Sequence, residues 1–249
     1  MPSIKTADEA TIHYDITGTG PPLLLLHGFM GTGATEFPGL RAHLARRYRV
    51  ITPDLRGYGA SAPKPRTYGP DFYERDAHDM VALLAHLDVS GAGIVGYSDG
   101  GEVALWLPLL APERVRAVAA WGAVGHFSPQ IKPGVLAHLA MPWRTPALDA
   151  LHGAEYIGPM TQRWVQAMLA IIDQGGDITF SRAGEITCPV LMMLGDADNL
   201  NPVEQARSMA EALPAGRLEV FKRTGHAIHT ERPRRFRRQL GLFLKTHLA

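Results

Sequence analysis

Short apolar runs recur along this chain of 249 residues, and segments with helical periodicity separate most of them. The six runs read PLLLL, YRVITPDL, GAGIVGYS, VRAVAAWGAV, CPVLMMLGD and GRLEVFKRTG. Continuous apolar runs are typical of strands that are covered on both faces. Their alternation with helices predicts an α/β fold with a mostly parallel sheet and helices on both faces. Upstream of them, the alternating pattern TIHYDIT predicts an early strand of a hairpin.

The alternation of strands and helices is interrupted once, between residues 122 and 184. This stretch contains five prolines and short helical patterns such as TQRWVQAMLAIID, and no β-rich run appears in it. We therefore predict a core made of residues 1–121 and 185–249, with residues 122–184 inserted as a helical lid. Open α/β sheets bind ligands at the carboxyl ends of their strands, and we expect the lid to cover those ends.

Charge and composition restrict the partners that this chain is expected to have. The formal net charge is +1 at pH 7, so nothing indicates nucleic acid or an acidic membrane as a partner. No apolar run approaches the roughly 18 residues of a membrane span, and MPSIKTADEA lacks the apolar core of a secretion signal. We expect a cytoplasmic protein that acts on a small molecule, as a monomer or a small homo-oligomer.

The motifs of metal and phosphate sites do not occur in the sequence. The histidines of the predicted insertion lack the spacing of a metal cluster, and neither HExxH nor CxxC is found. The glycine-rich stretches GTGPP and GFMGTG are not followed by Gly-Lys-Ser/Thr, so no phosphate loop is indicated. We predict that the protein uses neither a metal nor a cofactor.

The pentapeptide GYSDG, residues 96–100, matches the pattern G-x-S-x-G between a predicted strand and a predicted helix. A sharp strand-to-helix turn strains the backbone at the serine, and the flanking glycines remove side chains that would collide there. Such a turn exposes the hydroxyl group of Ser98, which predicts a nucleophile. The alternative is an ordinary glycine-rich turn in which Ser98 caps the helix.

A serine hydroxyl attacks a carbonyl with the help of a base, and the base needs an acid that orients it. His226 follows the last predicted strand in RTGHAIHTERP, and Asp198 follows the preceding strand in LGDADNLNP. We predict that Ser98, Asp198 and His226 form a catalytic triad. Their order along the chain, Ser then Asp then His, is one of those in which such triads occur. His229 is the alternative base, and Asp196 is the alternative acid.

Stabilisation of an oxyanion requires two backbone donors. The N–H of Asp99, at the start of the predicted helix, is the first. The second is expected in the loop after LLLLHG, at Phe29, with Met30 as the next choice. The residues expected to contact the substrate are Asp99, Met30, Trp121, Trp143 and Trp164. For the tryptophans, the alternative is internal packing.

Five motifs lie in order along nearly the whole chain, and they read HGFMG, DLRGYGAS, GYSDG, GDADNLNP and GHAIHTERP. Together they resemble the α/β-hydrolase superfamily. The segments DFYERDAHDMVALL, GYSDGG, WGAV and ALDALHGAEYIGPMTQRWVQAM further resemble the biphenyl hydrolase-like proteins, the valacyclovir hydrolases, which cleave α-amino acid esters. The resemblance implies that Ser98, Asp198 and His226 are the catalytic residues. It also implies that Asp99 binds the α-ammonium group of the substrate.

An aspartate directly after the nucleophile has a physical consequence that does not depend on the resemblance. At about 6 Å and an effective dielectric constant near 20, a carboxylate repels a developing oxyanion by roughly 3 kcal/mol. An ammonium group on the substrate would offset this charge, so Asp99 favours an amine next to the scissile carbonyl. The alternative is a side chain that stabilises the start of the helix and faces solvent.

These patterns together predict a serine hydrolase that cleaves carboxylic esters, preferably those of α-amino acids, through an acyl-enzyme. A general carboxylesterase, a lactonase or a C–C bond hydrolase would use the same triad. A binding protein built on the same scaffold is the alternative from another class, and an intact triad argues against it.

Overall fold

The sheet is the element that positions all other parts of the molecule. The computed structural model describes residues 2–248. Its strands are β1 Ser3–Lys5, β2 Thr11–Thr17, β3 Pro22–Leu26, β4 Arg49–Pro53, β5 Ala92–Tyr97, β6 Val115–Trp121, β7 Val190–Gly195 and β8 Gly216–Phe221. They form one sheet in the order β1-β2-β4-β3-β5-β6-β7-β8. Strand β2 pairs antiparallel with β1 and β4, and the remaining neighbours are parallel.

Helices cover both faces of this sheet. They are α1 Pro38–Leu44, α2 Phe72–His86, α3 Asp99–Leu110, α4 Lys132–Ala137, α5 Pro146–His152, α6 Ala154–Asp173, α7 Val203–Ala212, α8 Ile228–Glu231 and α9 Pro233–Leu248. Helices α1 and α9 pack on one face, whereas α2, α3 and α7 pack on the other. The predicted α/β fold, with a mostly parallel sheet and helices on both faces, is confirmed.

The alternation of side chains along β3 shows why this strand reads as continuously apolar. Leu23 and Leu25 point into the apolar cluster beneath α1 and α9, and Leu24 and Leu26 point into the cluster beneath α2 and α3. All four are fully buried. Because successive side chains of a strand face opposite sides, a strand in the middle of such a sheet must be apolar at every position.

A crevice is created where the chain changes direction within the sheet. From β3 the chain moves outward to β4, and it then returns to the other side of β3 to form β5. The loops that follow β3 and β5 therefore leave neighbouring strands toward opposite sides. Open α/β sheets bind their ligands at such a switch point, outside the carboxyl ends of the strands.

Residues 122–184 contain α4, α5 and α6 and no strand of the sheet within the described residues. Helix α5 begins at Pro146, and the side chain of Thr145 accepts the N–H of Leu148 at 3.3 Å, as a helix cap does. Helix α6 buries Trp164 and Met168 in the same apolar cluster as α2 and α3. The insertion is therefore packed on the core, and its role as a lid stays a prediction.

Within residues 2–248, no helix has both the length and the apolar character needed to cross a bilayer.

Candidate active site

The turn between β5 and α3 holds Ser98 in a strained backbone conformation. Its φ is 54° and its ψ is −122°, a region that residues with a side chain rarely adopt. A Cβ atom at Gly96 would lie 2.1 Å from the carbonyl oxygen of Gly100, and one at Gly100 would lie 2.4 Å from that of His27. Both flanking glycines are therefore required by close backbone contacts, as the motif predicts.

Three loops at the carboxyl ends of β5, β7 and β8 bring Ser98, Asp198 and His226 together. His226 Nε2 lies 3.0 Å from Ser98 Oγ, and His226 Nδ1 lies 2.7 Å from Asp198 Oδ2. The carboxylate of Asp198 is buried, and its Oδ1 also accepts the backbone N–H groups of Leu200 and Asn201, at 2.9 and 3.2 Å. This is the geometry that a nucleophile, a general base and an orienting acid require.

The alternative base and acid occupy other positions. His229 Nδ1 accepts the indole N–H of Trp121 at 3.1 Å, and burial lowers the pKa of His229 to about 4. Asp196 lies 3.8 Å from the ammonium group of Lys222 and accepts the backbone N–H of Thr224 at 3.4 Å. Neither side chain reaches the hydroxyl group of Ser98.

The loop after β3 approaches the nucleophile closely. A Cβ atom at Gly28 would lie 3.0 Å from that of Ser98. The N–H of Gly31 donates to the carbonyl of Gly28 at 3.1 Å, which closes a turn in which Met30 has a φ of 60°. Within residues 2–248, the N–H groups of Phe29 and Asp99 donate to no protein acceptor. They are thus free to serve an oxyanion, and this role stays a prediction.

His27 holds that loop in place. Its Nδ1–H donates to the carbonyl of Gly28 at 2.8 Å, and its Nε2 accepts the N–H of Leu55 at 2.9 Å. The ring is fully buried, and burial lowers its pKa to about 4. A neutral imidazole therefore bridges the loops after β3 and β4.

Asp99 is 4 % exposed, so its carboxylate does not face solvent, contrary to one of the two interpretations of the sequence. Tyr73 donates its hydroxyl to Oδ1 at 2.8 Å, and Trp164 donates its indole N–H to Oδ2 at 3.0 Å. Burial raises the pKa of Asp99 to about 6. In the described part of the chain, Asp99 forms no ion pair. Its hydrogen-bond donors are the neutral groups of Tyr73 and Trp164, and the positive charge of Arg66 acts on it from a longer distance.

A cavity of about 20 Å³ connects the nucleophile with this carboxylate. Ser98, Asp99, Trp164, Met168 and Asn201 are among the residues that line it. Its volume is close to what a single water-sized group needs. The insertion contributes part of this lining through α6.

The predicted aromatic contacts divide into two groups. Trp164 lines the cavity, and its ring packs against Phe29 with centroids 4.8 Å apart. Trp143 packs edge-to-face against Phe29, with ring centroids 5.3 Å apart, and is not among the residues that line the cavity. The structure shows Trp143 in contact with Phe29, and its contact with the substrate stays a prediction.

Two of the expected substrate contacts lie elsewhere. Trp121 is fully buried on the face covered by α9, where it packs between Phe37 and Phe236. The prediction that Trp121 contacts the substrate is therefore wrong. Met30 is buried in the opposite apolar cluster and does not line the cavity, while its carbonyl accepts Nε2–H of His152 at 2.9 Å.

Three residues of the site were not singled out from the sequence: Tyr73, Asn201 and Glu102. Glu102 is buried one turn after Asp99, and its carboxylate accepts the N–H groups of Val124 and Gly125 at 2.7 and 3.1 Å. Burial raises its pKa to about 7. It ties the start of the insertion to α3, and an acidic residue in the first turn of an apolar helix was its only signal.

Across positions 2–248, no group of three or more His, Cys, Asp or Glu side chains is arranged to hold a metal ion.

The parallel sheet, the strained turn at Ser98 and the contacts of His226 define a serine hydrolase of the α/β type. The chain belongs to the alpha/beta hydrolase family, whose model matches residues 23–239. It is 31% identical to serine hydrolase BPHL of Mus musculus over 242 residues, which cover 94% of this chain and 83% of the mouse protein. The serine hydrolase BPHL of Homo sapiens is also 31% identical, over 88% of this chain and 77% of the human protein.

Solved structures show the same fold. An esterase from Exiguobacterium antarcticum superposes with a TM-score of 0.79 at 24% identity, covering 98% of each chain. Esterase RhEst1 from Rhodococcus sp. ECU1013 superposes with a TM-score of 0.78 at 24% identity, covering 100% of this chain and 99% of its own. The likeness extends over the insertion as well as the core.

Proposed function

We propose that this serine hydrolase cleaves carboxylic esters of α-amino acids, with a small-molecule ester as its partner. The observation that supports the substrate class is the buried carboxylate of Asp99, which shares a cavity with Ser98 and has no cationic partner in the described residues. The likeness to serine hydrolase BPHL supports ester hydrolysis by a serine nucleophile.

The chemistry follows from the distances around Ser98. His226 Nε2, 3.0 Å away, removes the proton of the hydroxyl group while Oγ attacks the ester carbonyl. Asp198 stabilises the imidazolium that forms, and the N–H groups of Phe29 and Asp99 receive the oxyanion. The alcohol leaves with the proton from His226, and a water molecule repeats the sequence on the acyl-enzyme.

The charge of Asp99 makes the substrate's amine important. With a pKa of about 6, this carboxylate is mostly ionised at pH 7. It therefore disfavours the negative charge that develops on the neighbouring carbonyl oxygen, by roughly 3 kcal/mol at about 6 Å. An α-ammonium group placed against Asp99 removes this penalty, and a neutral ester offers no such compensation.

The size of the cavity limits what binds without movement of the insertion. A volume of about 20 Å³ accommodates an ammonium group but not a whole amino acid ester. Trp164 and Met168 of α6 occupy the adjoining space. Residues 122–184 therefore act as the lid, and α6 is displaced when the remainder of the ester enters.

The proposal is tested by comparing three esters of one alcohol: an α-amino acid ester, its N-acetyl derivative and the ester without the amine. We expect a kcat/KM about 10²-fold larger for the free amine than for either neutral ester. The Ser98→Ala variant should hydrolyse none of them. Equal values of kcat/KM for the three esters would contradict the amine preference and leave a general ester hydrolase.

A further inference from the structure

The side chain of Asn201 touches the triad and lines the cavity, yet the mechanism above does not use it. This residue is 4 % exposed and lies in the loop between β7 and α7. Its Nδ2 lies 3.4 Å from Asp198 Oδ2 and 3.3 Å from His226 Nδ1. The same cavity is lined by Ser98 and Asp99.

The carboxylate of Asp198 determines which way this amide points. With Nδ2 toward Asp198, an N–H donates to a carboxylate oxygen. The reversed amide would place two acceptor oxygens in contact with no hydrogen between them. His226 Nδ1 already donates to Asp198, so it offers no alternative acceptor for Nδ2. Oδ1 of Asn201 is therefore the atom left for another partner.

No residue of the described chain supplies that partner. Within residues 2–248, Oδ1 of Asn201 accepts no hydrogen bond. The oxygen is not fully buried, so a small group that enters the adjoining space can reach it. Here the acceptor belongs to a residue that lines a cavity of about 20 Å³, the size of one small polar group.

We propose that Asn201 determines specificity by accepting, through Oδ1, one N–H of the substrate's α-ammonium group. The inference rests on the proposed function, because it places the amine of that substrate between Asp99 and Asn201. An ammonium group has three N–H donors, and these two residues take two of them. Asp99 supplies the opposite charge, and Asn201 supplies a fixed neutral acceptor.

The test uses Asn201→Leu, which fills the space of the amide with an apolar group, and Asn201→Ala, which empties it. Each is assayed with L-phenylalanine methyl ester and with methyl 3-phenylpropionate, which lacks the amine. We expect both variants to lower the ratio of the two kcat/KM values by about tenfold, since a hydrogen bond to a charged group is lost. Agreement between the two variants excludes a purely steric effect.

The rate on methyl 3-phenylpropionate separates this role from support of the triad, because that ester has no amine to bind. A ratio that stays unchanged while both rates fall would overturn the inference and show that Asn201 only holds Asp198. Thermal unfolding measures whether each variant is folded. If Asn201→Leu is unfolded, the test uses the kcat/KM ratio of Asn201→Ala.

The failure of this inference is distinguishable from the failure of the proposed function. If the unmodified protein shows no preference for the free amine, both are overturned. If it shows the preference and Asp99→Asn removes it, but both Asn201 variants retain it, only the role of Asn201 is wrong.

Discussion

Two buried carboxylates lie next to Ser98, and they are held by different regions of the molecule. Asp198 accepts the imidazole N–H of His226 and two backbone N–H groups, all from loops that follow β7 and β8. Asp99 accepts one donor from Tyr73 in α2 and one from Trp164 in α6. The first carboxylate depends on the core alone, whereas the second depends on the insertion as well.

We therefore assign different roles to the two carboxylates: Asp198 supports the chemical step, and Asp99 selects the substrate. The triad requires strand ends whose positions the sheet holds fixed, and such a site acts on any ester that reaches it. The Asp99 site requires a helix of the insertion, so its shape is adjustable without disturbing the triad. We therefore expect changes at Asp198 to affect all substrates alike and changes at Asp99 to alter the selectivity between esters with and without an amine.

The largest effect is expected at the triad. Asp198→Asn should lower kcat by about 10⁴-fold on amino and neutral esters alike, because the imidazole loses its orienting acid. The matched control is Asp196→Asn, two residues earlier in the same loop, which should change kcat by less than about threefold. Steady-state kinetics on both esters measures the effect. A loss confined to the amino ester would contradict the separation of the two regions.

A smaller effect is expected from pH, through the pKa of about 6 of Asp99. Below this pKa the carboxylate is protonated and neutral, so its attraction for an ammonium group is lost. The ratio of kcat/KM between amino and neutral esters should therefore fall about tenfold from pH 7 to pH 5, since kcat/KM reports the free enzyme. Titration of the triad cancels in this ratio. A ratio that is constant over the range would contradict a carboxylate that both binds the amine and titrates near pH 6.

The parts of the site that local backbone chemistry dictates were predictable from the sequence. Gly96 and Gly100 flank Ser98 because the turn leaves no room for a Cβ atom, and this constraint is visible as a motif. Asp198 and His226 follow strands of a parallel sheet, whose carboxyl ends meet at one edge. Chain order and strand pattern were therefore enough to bring these side chains together.

The remainder of the site depends on packing between distant segments. Tyr73 reads as one more apolar position of a helix, and nothing in its neighbourhood indicates a contact with Asp99 across 26 residues. The predicted substrate contact of Trp121 was wrong because successive side chains of β6 point to opposite faces of the sheet. Ala120 faces the side of α3, and Trp121, one residue later, faces α9. The end of a strand alone does not reveal which face its last side chain takes.

The measurement that tests the central claim most directly is the effect of Asp99→Asn on selectivity between a free-amine ester and its N-acetyl derivative. The substitution keeps the size of the side chain and removes its charge. The account predicts that the ratio of the two kcat/KM values falls about 10²-fold, with the N-acetyl ester hydrolysed as fast as before or faster. A ratio that Asp99→Asn leaves unchanged would contradict the assignment of this carboxylate to the substrate's amine.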